Sequence, residues 1–136
     1  MLANTYMVKT IFHRIAKSID FCLANDVVHC DIKPNNILLD EIMKPKLIDW
    51  SMSYKFSDPQ NENTLVKGTK TYMAPEVVNL DQRKKVQIDY TRADCWSYGC
   101  MLMETLYMSS PVKVGTGLNS GKVSFEYKLD FSNPLF

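Results

Sequence analysis

The sequence predicts an α+β fold, mainly α, in which two long helices frame short β-hairpins. Three observations predict it. From Thr5 to about Leu23, apolar residues recur at helical spacing. From Asp94 to about Met108, a second segment is apolar nearly all round. Between them, short apolar pieces bracket a polar run, VVHCDIKPNNILLD, and are too short for helices.

In the first helix, Met7, Ile11, Ile15, Ile19 and Leu23 form one stripe, widened by Phe12 and Cys22, while Lys9, Arg14 and Lys17 face elsewhere. Asn25-Asp26 breaks the helix. Val27-Val28 and Ile37-Leu38-Leu39 read as small strands around the polar loop, and Lys46 to Ile48 as another. From Trp50 to Thr71 no apolar period exists, which predicts a long loop of the kind that carries function. Pro75-Glu76 opens a short helix through Leu80, because proline suits a first helical turn. The charged stretch LDQRKKVQIDY reads as solvated. The segment Asp94 to about Met108 reads as a buried central helix. Residues 109–136 read as a loop-rich tail with one β-like piece, KVSFEYKLDF.

The chain has 136 residues, 46% of them hydrophobic, with a formal net charge of +1. That composition can build one core. The near-neutral balance gives no electrostatic basis for a nucleic acid or anionic membrane partner. The N-terminus lacks an apolar signal region, and no apolar run can span a bilayer. Cys22, Cys30, Cys95 and Cys100 show neither a CxxC pair nor histidine at zinc spacing. They read as reduced thiols of an intracellular, cytoplasmic protein.

Four motifs then carry a resemblance. HCDIKPNN (residues 29–36) resembles the catalytic loop of protein kinases, H-R-D-x-K-x-x-N, with Cys30 in place of the arginine. IDWS falls where the family has D-F-G, with Asp49 matching, Trp50 for Phe and Ser51 for Gly. GTKTYMAPE, Gly68 to Glu76, looks like the end of an activation segment, and DCWSYGC resembles the start of the family's central helix. One motif would be a weak signal; four in the family's order are a strong one. The resemblance implies a serine/threonine protein kinase acting on a protein substrate with ATP and Mg²⁺. Asp31 would accept the hydroxyl proton and Lys33 would neutralise charge on the transferred oxygens. Asn36 and Asp49 would bind the metal, Leu38 would pack beneath the adenine, and Thr69 would position Asp31 and the substrate hydroxyl. His29 would be a packed structural residue, and Asp94 would accept backbone N–H bonds from the catalytic loop. Glu76 resembles the glutamate that pairs with a buried arginine, and no arginine follows Arg92.

The implied organisation is a partial kinase domain over residues 1–108, the large lobe, with the catalytic loop at 29–36, the activation segment at 49–76 and the central helix at about 94–108. A divergent tail follows at 109–136. The family's small lobe, with its Gly-rich strand pair and lysine, has no counterpart here. VGTGLNSGKV (114–123) is one residue too long for that Gly loop and lacks the glycine of a P-loop, so it reads as a turn-rich loop. Three alternatives follow: a kinase, inactive as this isolated fragment; a pseudokinase or kinase-fragment binding module; and an incomplete gene model. Cys30 cannot donate a charged fork to an activation-loop phosphate, as in "non-RD" kinases. Ser51 for Gly restricts the turn after Asp49. The apolar central helix is expected to leave a face open to a partner protein.

Overall fold

The computed structural model describes residues 2–58, 66–79, 88–108, 112–114 and 123–125. Helix α1 spans Leu2–Ala24 and buries Phe12, Ile15 and Ile19 on its inner stripe. Met7, at the head of the expected stripe, is exposed. At its end, the Asn25 N–H and side-chain amide both satisfy the Phe21 carbonyl. Asp26 then adopts the left-handed conformation, φ 64°, a common way to stop a helix.

Among the described residues, three two-stranded antiparallel ladders follow. Strand β1 (Val27–Val28) pairs with β4 (Tyr54–Lys55), with Val28 opposite Tyr54. Strand β2 (Ile37–Leu39) pairs with β3 (Pro45–Leu47) across a turn in which Asp40 accepts the N–H groups of Ile42 and Lys44. Strands β5 (Val112–Val114) and β6 (Val123–Phe125) pair with each other. The two strands around the polar loop therefore belong to different ladders. Strand β3 lies one residue earlier than its apolar pattern suggests. The rest of KVSFEYKLDF, most of VGTGLNSGKV and residues 80–87 lie outside the described residues.

Two helices complete the description: α2 (Pro75–Val78) and α3 (Tyr90–Tyr107). Helix α3 begins four residues before the expected Asp94. Asp89 is its N-cap and accepts the Thr91 N–H, so a stretch read as solvated loop contains a helix start. Nor is α3 buried all round. Tyr90, Ala93, Asp94, Ser97, Cys100 and Met101 form one buried stripe, while residues 102–107 are half-buried and Met108 is exposed. The sequence shows no polar face there because the outward positions also carry apolar residues. Strand β4 is a further difference, since it lies inside the segment read as one long loop. Its two residues gain their partners from β1, which no local pattern reveals. Glu76 is exposed, so its carboxylate is not a buried charge in need of a partner, unlike the expectation.

The core has two parts. Phe12, Ile15, Ile19, Ile32 and Met101 join α1 to α3. Val28, Cys30, Tyr54, Met73, Ala74, Val77, Ile88, Tyr90 and Ala93 join β1 and β4 to α2 and the start of α3. The polar loop runs between them, with Cys30 in one cluster and Ile32 in the other. Its backbone is pinned from both sides, which is how a short loop becomes rigid. No described helix is long and apolar enough to cross a membrane. All four cysteines are free thiols, Cys30 and Cys100 buried.

Candidate active site

The polar loop is anchored by one carboxylate. Asp94 accepts the N–H of His29 through Oδ2 at 2.7 Å and that of Cys30 through Oδ1 at 2.9 Å. Burial raises the Asp94 carboxyl above its usual value, against the pull of those two N–H groups. His29 is almost fully buried. Its Nδ1 accepts the Asp31 N–H, its Nε2 bonds the Ile48 carbonyl at 3.0 Å, and Trp50 lies against it at 4.7 Å between ring centroids. These contacts make His29 a packing post that joins the loop to the IDWS turn. Cys30 holds φ 67°. Burial, followed by the neighbouring Asp94 charge, pushes its thiol up to about 12, so it stays protonated and unreactive.

The Asp94 anchor and the positive φ at Cys30 aim Asp31 at two partners. Lys33 Nζ sits 2.7 Å from Asp31 Oδ2, and the Thr69 hydroxyl donates to Asp31 Oδ1 at 2.8 Å. Lys33 also donates to Thr69 Oγ1 at 2.8 Å, closing a three-membered network across 38 residues of sequence. Asn36 Nδ2 donates to the Asp31 carbonyl at 2.8 Å and to Oδ2 at 3.1 Å. Burial would raise the Asp31 carboxyl. The hydrogen bonds from Lys33 and Thr69, the Lys33 charge and the Asn36 amide outweigh it and hold the carboxyl below its usual range. Asp31 is thus a buried carboxylate that stays ionised at neutral pH.

Asn36 ends the 3₁₀ turn Pro34–Asn36, and its carbonyl accepts the Ile48 N–H at 3.0 Å. That bond brings the residues before Asp49 alongside the loop. Asp49 is exposed, with φ 59°, and its Oδ1 accepts the Ser51 hydroxyl at 2.7 Å. That hydrogen bond and the one from the Ser51 N–H hold its carboxyl below the usual range. Ser51 does not take a positive φ, so this turn needs no glycine. Leu38, on β2, is exposed. No cluster of three histidine, cysteine or acidic side chains exists among the described residues. What the site offers a metal is two hard oxygen donors: the Asp49 carboxylate, and the Asn36 amide oxygen that faces away from Asp31. That set fits Mg²⁺, which is held by few side chains and keeps waters or phosphate oxygens.

The structure therefore brings Asp31, Lys33, Asn36 and Thr69 into one network and sets Asp49 beside them, while Leu38 is exposed on strand β2. Two contacts had no signal in the sequence. The Gly68 N–H donates to Met52 Sδ at 3.1 Å, and the Lys67 ammonium lies 4.4 Å from the centre of the Tyr54 ring. Both depend on where the long segment folds back.

A catalytic-type loop, a D-W-S turn and a threonine docked on the loop aspartate, all hung from one central helix, define a protein kinase. The family model described as protein kinase domain matches residues 2–130, and the chain belongs to that family of transferases. CBL-interacting serine/threonine-protein kinase 10 of Arabidopsis thaliana is 37% identical over 98 residues, which are 70% of this chain and 19% of that protein. The chain thus matches about a fifth of that relative's length.

Proposed function

We propose that this chain carries the catalytic and substrate-positioning half of a serine/threonine protein kinase site, transferring phosphate from Mg-ATP to protein hydroxyls. The observation that supports it most is the closed network of Asp31, Lys33 and Thr69. An ionised carboxylate is held between an ammonium and a hydroxyl, poised to orient an incoming alcohol and take its proton. Lys33 would then neutralise charge on the transferred oxygens. Asn36 and Asp49 would hold Mg²⁺, which would supply charge neutralisation at the nucleotide phosphates. Leu38 would offer its exposed side chain to the adenine.

The residues above present one wall of a nucleotide cleft, so the isolated chain should transfer phosphate poorly on its own. Two measurements test the reading. Mn²⁺ binding to the chain, followed by electron paramagnetic resonance, should weaken in Asp49→Asn and Asn36→Ala and stay unchanged in Asp31→Asn. Phosphotransfer by the chain joined to a kinase small lobe should vanish in Asp31→Asn with ATP affinity preserved. Activity in Asp31→Asn equal to that of the unmodified protein would overturn the assignment. A binding-module reading is favoured by the exposed Phe21, Leu38, Ile42 and Trp50. It would be preferred if the joined protein bound partners through that face and showed no transfer.

A further inference from the structure

We propose that Lys67 is a positioning residue whose cation–π contact with Tyr54 docks the activation segment on the catalytic loop, so that Thr69 reaches Asp31 without a phosphate. The inference rests on the reading of Asp31 and Thr69 given above. Three consecutive residues make the dock. The Lys67 ammonium lies 4.4 Å from the Tyr54 ring centre, and its main-chain N–H donates to the Tyr90 hydroxyl. Gly68, at φ 107°, brings its backbone so close to the loop that a Cβ would stand 2.5 Å from the Cys30 carbonyl oxygen. Thr69 then bonds both Asp31 and Lys33.

The receiving surface is rigid. Tyr54 is buried on β4 opposite Val28, and its ring meets Tyr90 edge-on at 5.7 Å and 87°. Its hydroxyl is buried without a hydrogen-bond partner among the described residues. What the ring offers the segment is therefore its π face. Cys30 lies in the same apolar cluster as Tyr54 and Tyr90. Cys30, Lys67 and Thr69 share the wall of a cavity of only about 10 Å³. That cavity has no room for a guanidinium and a phosphate. With a cysteine on the loop, the cation comes from the segment itself and binds an aromatic face already in place. A half-buried cation–π pair persists where an exposed ion pair would be screened.

Hydrogen exchange on the full chain tests this without any need for nucleotide or activity. The readout is the amides of Lys67 and Gly68, whose bonds to the Tyr90 hydroxyl and to Met52 Sδ tie the segment to residues far along the chain. Lys67→Met keeps the volume and removes the charge, and Tyr54→Leu removes the π face. Each should speed exchange at these amides roughly three- to tenfold. Lys67→Arg and Tyr54→Phe should stay near the original rate. The double variant Lys67→Met/Tyr54→Leu should be no faster than the slower-docking single one. Protection of the buried Ile32 amide reports global folding and separates undocking from unfolding. Unchanged exchange in Lys67→Met, or failure of Lys67→Arg to restore protection, would overturn the proposal. A loss of phosphotransfer in the joined protein would bear on the catalytic reading alone.

Discussion

Asp94, one turn into α3, holds both the His29 and the Cys30 backbone N–H groups from 65 and 64 residues away, one through each carboxylate oxygen. The bend that turns Asp31 toward Thr69 is therefore built by a residue on the central helix. The Ser97 hydroxyl does a similar job on the same helix face, donating to the Tyr72 carbonyl at 2.7 Å and tethering the segment after Thr69. Catalytic loop and activation segment hang from one buried stripe.

Asp94→Asn should be destabilising. An asparagine offers one acceptor and one donor where two N–H groups converge, so one buried N–H loses its partner. Such a loss costs about 1–3 kcal/mol. Urea unfolding should show this, together with faster exchange at the His29 and Cys30 amides. Wild-type stability would show that the loop holds its shape without the carboxylate.

Gly68→Ala should be worse than its one added methyl suggests. The new Cβ would meet a backbone oxygen, which cannot swing aside as a flexible side chain can. The residue would also be held at φ 107°, outside the comfortable range of alanine. Together these should cost about 2 kcal/mol or more. Thermal unfolding gives the magnitude, and the Thr69 hydroxyl–Asp31 contact should be lost in a crystal structure of the variant.

Acid should weaken the fold partly through Asp31. Its carboxyl is lower in the folded chain than the unfolded value of about 3.9. Its contribution is therefore complete above about pH 4 and is lost as pH falls through the lower folded value. Asp49 and Asp89 are also held low, so the comparison must be between variants. Asp31→Asn should show a shallower fall in unfolding free energy between about pH 5 and 2 than the unmodified chain. Parallel curves would mean that the Asp31 network adds nothing to acid stability.

The face around Phe21, Leu47 and Trp50 should make the chain self-associate. These residues and Cys22 line an open groove of about 370 Å³, flanked by Lys17 and Ser18. Exposed Ile42 and Met43 lie at the tip of the β2–β3 hairpin. Apolar patches larger than about 400 Å² usually mark an interaction surface or an aggregation hazard. Light scattering at micromolar concentration should show oligomers that Phe21→Glu and Ile42→Glu reduce. A monodisperse unmodified chain would refute this and leave the exposed α3 end at Met108 without consequence for assembly.

The two long helices, the short strands around the polar loop and the residues of the Asp31 network were legible in the chain as it is written, but not which strands pair. Apolar spacing marked α1, and His29, Asp31, Lys33, Asn36, Asp49 and Thr69 stood in motifs whose chemistry is local and whose order is distinctive. Patterns failed where the partner lies far along the chain. Strand β4 has two residues and no period of its own; pairing with Val27-Val28 makes it a strand. Helix α3 looks apolar on every side, and only packing against α1, the loop and the segment around Tyr72–Val77 selects which stripe is buried. The Lys67–Tyr54 contact and the Gly68 approach to Cys30 belong to the same class. Motif and periodicity are properties of neighbours along the chain, so they survive in one dimension. Burial, docking and the environment that keeps Asp31 ionised arise between residues tens of positions apart, and they exist only once the chain has closed on itself.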